Sequence, residues 1–135
     1  MSRFGISTCV VVLLLGGGVV AQLDPAATIA KSEALLKNLQ GGKFADVYRE
    51  FNPMMANAIP EEKLRAVWDA MNDKFGALKS IDERRSGELK GLRAAELILT
   101  FEKERVVQRV VFDNDGKVAG LVYQPVSMAV LPPPK

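Results

Sequence analysis

The sequence contains no histidine, and its 135 residues include a single cysteine, Cys9. Without an imidazole there can be no Ser-His-Asp or Cys-His nucleophile system, no histidine metal ligand and no imidazole acid or base. Basic and acidic side chains nearly balance, at 18 Lys+Arg against 16 Asp+Glu, which gives a net charge of +2. That charge is too small to indicate nucleic acid or an acidic membrane surface as a partner. Several enzyme classes are thus excluded, and binding functions remain open.

The first 21 residues have the composition of a secretory signal peptide. Arg3 provides one positive charge, and residues 4–20 contain no charged side chain. A basic start, an apolar run and small residues before a cleavage position are the parts of such a signal. We therefore expect cleavage after Ala21 and a secreted or periplasmic protein with no membrane attachment. The alternative is an uncleaved anchor, which the three glycines at 16–18 would weaken as a spanning helix.

Residues 22–125 are expected to form one α+β domain in which helices come first. Asp24 and Pro25 favour the start of a helix that ends near Gly41. A short second helix is expected from Phe44. The third and clearest helix follows Pro60, and its apolar residues form one stripe at helical spacing. This stripe consists of Leu64, Val67, Trp68, Met71 and Phe75.

The apolar pattern then changes to the alternation that is typical of β-strands. A weak, highly charged strand or pair of extended pieces is expected over residues 78–89. Clearer alternation follows in residues 95–101, 106–112 and 118–123, the last two joined by a turn. Three helices packed on one face of an antiparallel sheet of about four strands make this an α+β fold. Residues 126–135, which are rich in proline, are expected to form an extended tail.

Local motifs, taken in order, resemble a known superfamily. They are Gly42-Lys43-Phe44, Phe51-Asn52-Pro53-Met54-Met55, Phe75-Gly76-Ala77-Leu78 and the run from Val111 through Asp113-Asn114-Asp115-Gly116 to Leu121. They resemble the cone-shaped nuclear transport factor 2-like superfamily. Within it, they resemble a bacterial family of unknown function whose members often precede secreted α/β-hydrolase domains. The resemblance implies a cone-like fold with a curved sheet, a cavity between helices and sheet, and an envelope or extracellular setting, but no catalytic residues.

The first hypothesis for function is a non-enzymatic module that binds a small apolar ligand, a cell-wall fragment or a partner protein between helices and sheet. Ligand sites of this kind are mainly apolar with a few polar groups. The expected lining residues are Tyr48, Met55, Trp68, Met71, Phe101 and Tyr123. For Trp68, at the centre of its helix, an ordinary position in the core is expected, and a wall of the cavity is the alternative. No cofactor is expected, because no glycine-rich phosphate loop is present.

A second hypothesis is a homodimer, or an adaptor for a hydrolase, that uses the open face of the sheet. Ile98, Val107 and Val111 would be left exposed there, and pairing with a partner would bury them. Arginines at 84, 85, 93, 105 and 109 could line one side of the sheet as an anion or peptide site. The simpler interpretation of these arginines is ion pairing with acidic residues on neighbouring strands.

A third hypothesis is a small acid/base enzyme. A general base requires a carboxylate with a raised pKa and a partner such as a tyrosine hydroxyl. Glu96 is the best carboxylate, and Tyr48 and Tyr123 are the available phenols, although strand alternation directs Glu96 outward. The run from Asp113 to Gly116 suggests a calcium loop, but its spacing departs from the EF-hand and fits a hairpin turn. No metal is expected.

Overall fold

The computed structural model of the protein describes residues 24–133. The predicted signal peptide therefore lies outside the described residues. Four helices come first, and four strands follow. The helices are α1 (Pro25–Gln40), α2 (Phe44–Arg49), α3 (Pro53–Ala58) and α4 (Glu61–Phe75). The strands are β1 (Leu78–Leu89), β2 (Leu92–Phe101), β3 (Arg105–Phe112) and β4 (Val118–Pro125). They form one antiparallel sheet in chain order, so the α+β prediction is confirmed with four helices where three were expected.

The helix ends follow the local signals in the sequence. The Asp24 carboxylate accepts a hydrogen bond from the Ala27 amide at 2.7 Å and caps α1. Gly76 ends α4 with a φ of 84°, a conformation that favours glycine. The additional helix α3 has the same kind of start, because Asn52 Oδ1 accepts from the Met55 amide at 2.8 Å and Pro53 follows it. With six residues, α3 is too short for its apolar spacing to reveal it.

The strand register separates the sheet into two faces. Leu97 lies opposite Gln108, and Gln108 lies opposite Tyr123, so these residues share one face. Glu96 lies opposite Arg109 and belongs to the other face. β1 is one continuous strand of 12 residues and not a pair of extended pieces. Its two register shifts fall earlier, between residues 78 and 83, and bulges of this kind bend a strand.

The inner face of the sheet packs against the helices and forms the hydrophobic core. Each helix contributes large apolar side chains, and β2, β3 and β4 contribute the alternating residues of their inner face. Its members include Leu36, Leu39, Leu64, Trp68, Leu97, Leu99, Phe101 and Phe112. Because the core lies entirely between helices and inner face, burial on the outer face needs another cause.

The segment after β4 covers the outer face of the sheet and buries residues there. Residues 126–128 form a 3-10 turn, and residues 126–131, which we call the strap, lie against the outer face of the sheet. Leu131 is buried, and its side chain reaches Gly87 of β1. The sequence predicted only an extended tail here. The contacts of this segment with the sheet were missed, because no local pattern reveals hydrogen bonds to partners more than 30 residues away. Among residues 24–133, no helix has the length and apolar character needed to cross a membrane.

Candidate ligand-binding cleft

The six residues predicted to line a cavity lie in or against the core. Met55, Trp68, Met71 and Phe101 are buried members of the core cluster, and Tyr48 and Tyr123 pack against it. The Trp68 ring lies 6.3 Å from both the Phe101 and the Tyr123 rings, so these three side chains are brought together. Tyr48 packs against Phe51, with ring centroids 5.9 Å apart. Trp68 therefore lies in the hydrophobic core.

A polar network crosses this core and was not predicted. Gln108 is buried, and its amide nitrogen donates to the carbonyl and the hydroxyl oxygen of Ser32 at 3.2 and 3.1 Å. The Tyr123 hydroxyl donates to Gln108 Oε1 at 2.7 Å. Burial raises the pKa of Tyr123 above its usual range. The groups satisfy one another, so the network connects α1 with β3 and β4 through the core. In the sequence, the only signal of this network was a polar residue, Gln108, within a strand of alternating apolar residues.

Glu96 is on the other side of the sheet from both tyrosines. Its carboxylate pairs with Arg109 at 2.8 Å and accepts hydrogen bonds from the main-chain amides of Val130 and Leu131. Tyr123 lies on the inner face, and Tyr48 packs against the core. The acid/base arrangement of Glu96 with a tyrosine is therefore not formed. Strand alternation correctly predicted that Glu96 lies on the outer face of the sheet. Glu96 is nevertheless buried, because the strap covers it.

The expectation of an exposed apolar strip on the outer face is also corrected. Ile98 and Val107 are fully buried, and Val111 is half-buried. Four of the five arginines form ion pairs, but only Arg109 pairs with an acidic residue on a neighbouring strand, as the simpler interpretation expected. The pairs are Arg84 with Glu33, Arg85 with Glu83, Arg105 with Asp82, and Arg109 with Glu96. The Arg84 partner lies on α1, whereas Arg109 and Glu96 form a true cross-strand pair.

A cleft of about 310 Å³ opens at one end of the sheet, between α1, α2 and the β3–β4 hairpin. Its lining residues are Lys31, Ala34, Leu35 and Asn38 of α1, Asp46, Val47 and Arg49 of α2, and Glu50, Phe112 and Val118. Leu35, Val47, Phe112 and Val118 are buried and form an apolar floor, while the other side chains supply a polar rim. None of the six predicted lining residues belongs to this cleft.

Main-chain contacts hold α2 against the hairpin and keep this cleft in shape. The Val118 amide donates to the Glu50 carbonyl at 2.7 Å, and the Asn52 amide donates to the Val118 carbonyl at 2.9 Å. The hairpin turn is itself fixed by Asp113, whose Oδ1 accepts from the amides of Asp115 and Lys117 at 2.9 and 3.0 Å. These bonds show a hairpin turn at the position that had suggested a calcium loop. Among residues 24–133, no group of three acidic, histidine or cysteine residues could hold a metal ion.

Charges of both signs alternate around the rim of the cleft. The Lys31 ammonium lies 3.3 Å from the Glu50 carboxylate and donates to the Gly116 carbonyl at 2.8 Å. It also lies 5.8 Å from the centre of the Phe112 ring. Arg49 pairs with Asp46 one helical turn away. No local pattern indicates this site, because Lys31 and Gly116 are 85 residues apart. The rim is thus electrically balanced and offers both donors and acceptors to a ligand.

One family comparison gives a positive result. A family model described as "Protein of unknown function (DUF3887)" matches residues 32–121, which is more than half of the chain, so the chain belongs to this family. The match contains most of the cleft and the whole pairing of β1 with β2. No curated protein and no solved structure matches the chain.

Proposed function

We propose that this member of the DUF3887 family is a secreted, non-enzymatic binding module that holds a cell-wall fragment in the cleft between α1, α2 and the β3–β4 hairpin. The observation that carries the proposal is the cleft itself, whose volume of about 310 Å³ lies within the range of small-ligand sites. An apolar floor under a polar rim is the usual composition of such a site. The core between the helices and the sheet, in contrast, is occupied by the chain's own side chains.

The balanced rim supports a ligand that carries groups of both signs. Lys31 and Arg49 each face an acidic partner, and the Asn38 amide adds a neutral donor and acceptor. A purely apolar ligand would cover these polar groups without replacing their contacts with water, which is unfavourable. A peptide stem from the cell wall carries amide, ammonium and carboxylate groups and could satisfy them. This chemistry favours the cell-wall fragment over the small apolar ligand.

Secretion is the second part of the proposal, and it rests on the uncharged run at residues 4–20 after Arg3. It would place the domain in the compartment where cell-wall fragments occur. Mass spectrometry of the protein recovered from the envelope of its own host tests this part. We expect the mass of a chain that begins at Gln22. A chain that keeps residues 1–21, or one found only inside the cell, would contradict it.

The position of Glu96 supports a non-enzymatic role. The carboxylate is fully buried and is bound to Arg109 and to two main-chain amides, so it has no free path to a ligand in the cleft. Tyr123 is engaged with Gln108 in the core. Neither group is available as a general base or an oxyanion partner for a substrate at the cleft.

Calorimetric titration with a soluble disaccharide-tetrapeptide from peptidoglycan tests the binding site. Ala34 is exposed and lines the cleft, so Ala34→Phe would fill part of the cleft with little effect on the core. We expect this change to weaken binding by at least about tenfold, equivalent to about 1.4 kcal/mol. Ala70→Phe, at an exposed position of α4 outside the cleft, is the matched control and should bind as the wild type does. Equal binding by both variants, or no heat with the wild type, would contradict the proposal.

A further inference from the structure

The strap is attached to the outer face of the sheet mainly through its main chain. The Glu96 carboxylate accepts from two consecutive amides, Val130 at 3.0 Å and Leu131 at 2.7 Å. Arg109 donates to the Met128 carbonyl at 2.8 Å, and Arg85 donates to the Leu131 carbonyl at 3.2 Å. Charge-assisted hydrogen bonds of this kind are stronger than neutral ones. They recognise an extended backbone and do not depend on which side chains it carries.

A single side chain of the strap is buried beyond these main-chain contacts. Leu131 is 4% exposed, whereas Met128 and Val130 are 52% and 58% exposed. Leu131 lies over Gly87, where an added Cβ atom would come within 3.1 Å of the leucine Cδ2 atom. A glycine inside a strand often marks a position where another chain segment approaches closely. The outer face therefore contains a seat for one aliphatic side chain.

The groups that hold the strap remain paired with one another when it is absent. Glu96 and Arg109 lie 2.8 Å apart on neighbouring strands, and Arg109 also donates to Gln124 Oε1 at 2.9 Å. Arg85 pairs with Glu83 in its own strand. No buried charge would lose its last partner if the strap were released. The strap can therefore leave without the large cost of an isolated buried charge.

From these contacts we propose that the outer face of the sheet is a peptide-binding site that the strap occupies in cis and that an extended peptide of a partner protein can occupy in its place. The peptide would present two consecutive main-chain amides to Glu96 and an aliphatic side chain to the seat at Gly87. The family match includes Arg85, Glu96 and Arg109 and ends at residue 121, so the binding residues belong to the matched domain and the strap follows it. The site is separate from the cleft, and the proposal does not depend on what the cleft binds.

Peptide binding to a full-length variant with a weakened strap tests this proposal. The probe is a fluorescent synthetic peptide with the sequence of residues 125–133. Leu131→Glu removes the aliphatic side chain and places a charge beside Glu96, so the strap should be released and the variant should bind the peptide. The wild type should bind at least about tenfold more weakly, because a tethered strap competes at an effective concentration near the millimolar range. Circular dichroism establishes that both proteins are folded.

Val130→Glu is the matched control, since it introduces the same charge at the neighbouring exposed residue and leaves Leu131 in place. This variant should bind the peptide as weakly as the wild type does. Adding Gly87→Val to Leu131→Glu fills the seat and should abolish peptide binding. Failure of the folded Leu131→Glu variant to bind, or binding that survives Gly87→Val, would overturn the proposal. A wild-type dimer that exchanges straps would overturn it too, because the occupant would then be a second copy of the chain.

Hydrogen exchange of the unmodified full-length protein provides a second test that needs no variant. If the strap opens by itself, the Val130 and Leu131 amides should exchange at least about tenfold faster than the amides of Ile98 and Val107 in the two central strands of the sheet. Equal protection would mean that the strap is released only when the domain unfolds. That result would overturn the proposal, since a partner peptide could then not replace the strap.

Discussion

Replacing Glu96 by glutamine removes one charge from a buried ion pair. The Glu96 side chain is fully buried, and that of Arg109 is 12% exposed. Removing one member of such a pair costs about 3–5 kcal/mol. Arg109 keeps acceptors at Gln124 and Met128, so we expect a loss near the lower end, about 3 kcal/mol in the free energy of unfolding.

Urea denaturation, followed by the fluorescence of the single tryptophan, measures this loss. Glu33→Gln is the matched control, because it removes the same charge from the exposed pair of Glu33 with Arg84. Exposed pairs contribute roughly 0–1 kcal/mol. If Glu96→Gln costs less than about 1 kcal/mol, or no more than the control, the buried pair does not hold the outer face as described.

Three further predictions concern the core and the dependence of stability on pH. Trp68→Ala should cost about 3–5 kcal/mol if Trp68 is packed in a filled core, and a loss below about 1 kcal/mol in urea denaturation followed by circular dichroism would contradict that packing. Because burial raises the pKa of Tyr123, stability is unaffected below the ordinary tyrosine pKa of 10.0 and falls by up to about 1.4 kcal/mol per pH unit above it. Tyr123→Phe should remove this part of the alkaline slope and Tyr48→Phe should keep it, and the reverse result in pH-dependent denaturation would refute the assignment. A hydrogen bond from the Ala77 amide lowers the pKa of Glu102. The contribution of Glu102 to folding stability is therefore complete above the ordinary pKa of 4.5 and is lost as the pH falls through the lowered pKa. Thermal melts between pH 2 and 6 should show a weaker acid dependence for Glu102→Gln, and an unchanged dependence would contradict this role.

The fold was predictable where the relevant contacts are periodic or local. The stripe of Leu64, Trp68 and Met71 predicts the buried face of α4, and strand alternation predicts which residues of β2 and β3 face the helices. The helix α3 was missed because six residues contain too few apolar repeats, although Asn52 and Pro53 provide its start signal. Local signals were therefore sufficient for most elements and for the separation of the two sheet faces.

The sites were less predictable, because distant segments create them. Alternation placed Glu96 outward correctly, but its burial depends on the strap, more than 30 residues later. The polar rim of the cleft brings Lys31 next to Gly116 across 85 residues, and no single-sequence pattern reports such a contact. The aromatic and methionine residues that were predicted to line a cavity have the composition of a ligand site. Large apolar side chains at helical spacing are, however, also what a hydrophobic core requires.

The most direct test of the proposed function is a nuclear magnetic resonance titration of the full-length protein with the peptidoglycan disaccharide-tetrapeptide. Binding in the cleft should move the amide signals of Ala34, Val47 and Glu50, which belong to its walls, and leave those of the strap unchanged. Loss of these shifts in Ala34→Phe, with the folded spectrum retained, would locate the ligand in the cleft. Shifts confined to the strap or to the residues around Trp68, or no shifts at millimolar ligand, would contradict the account.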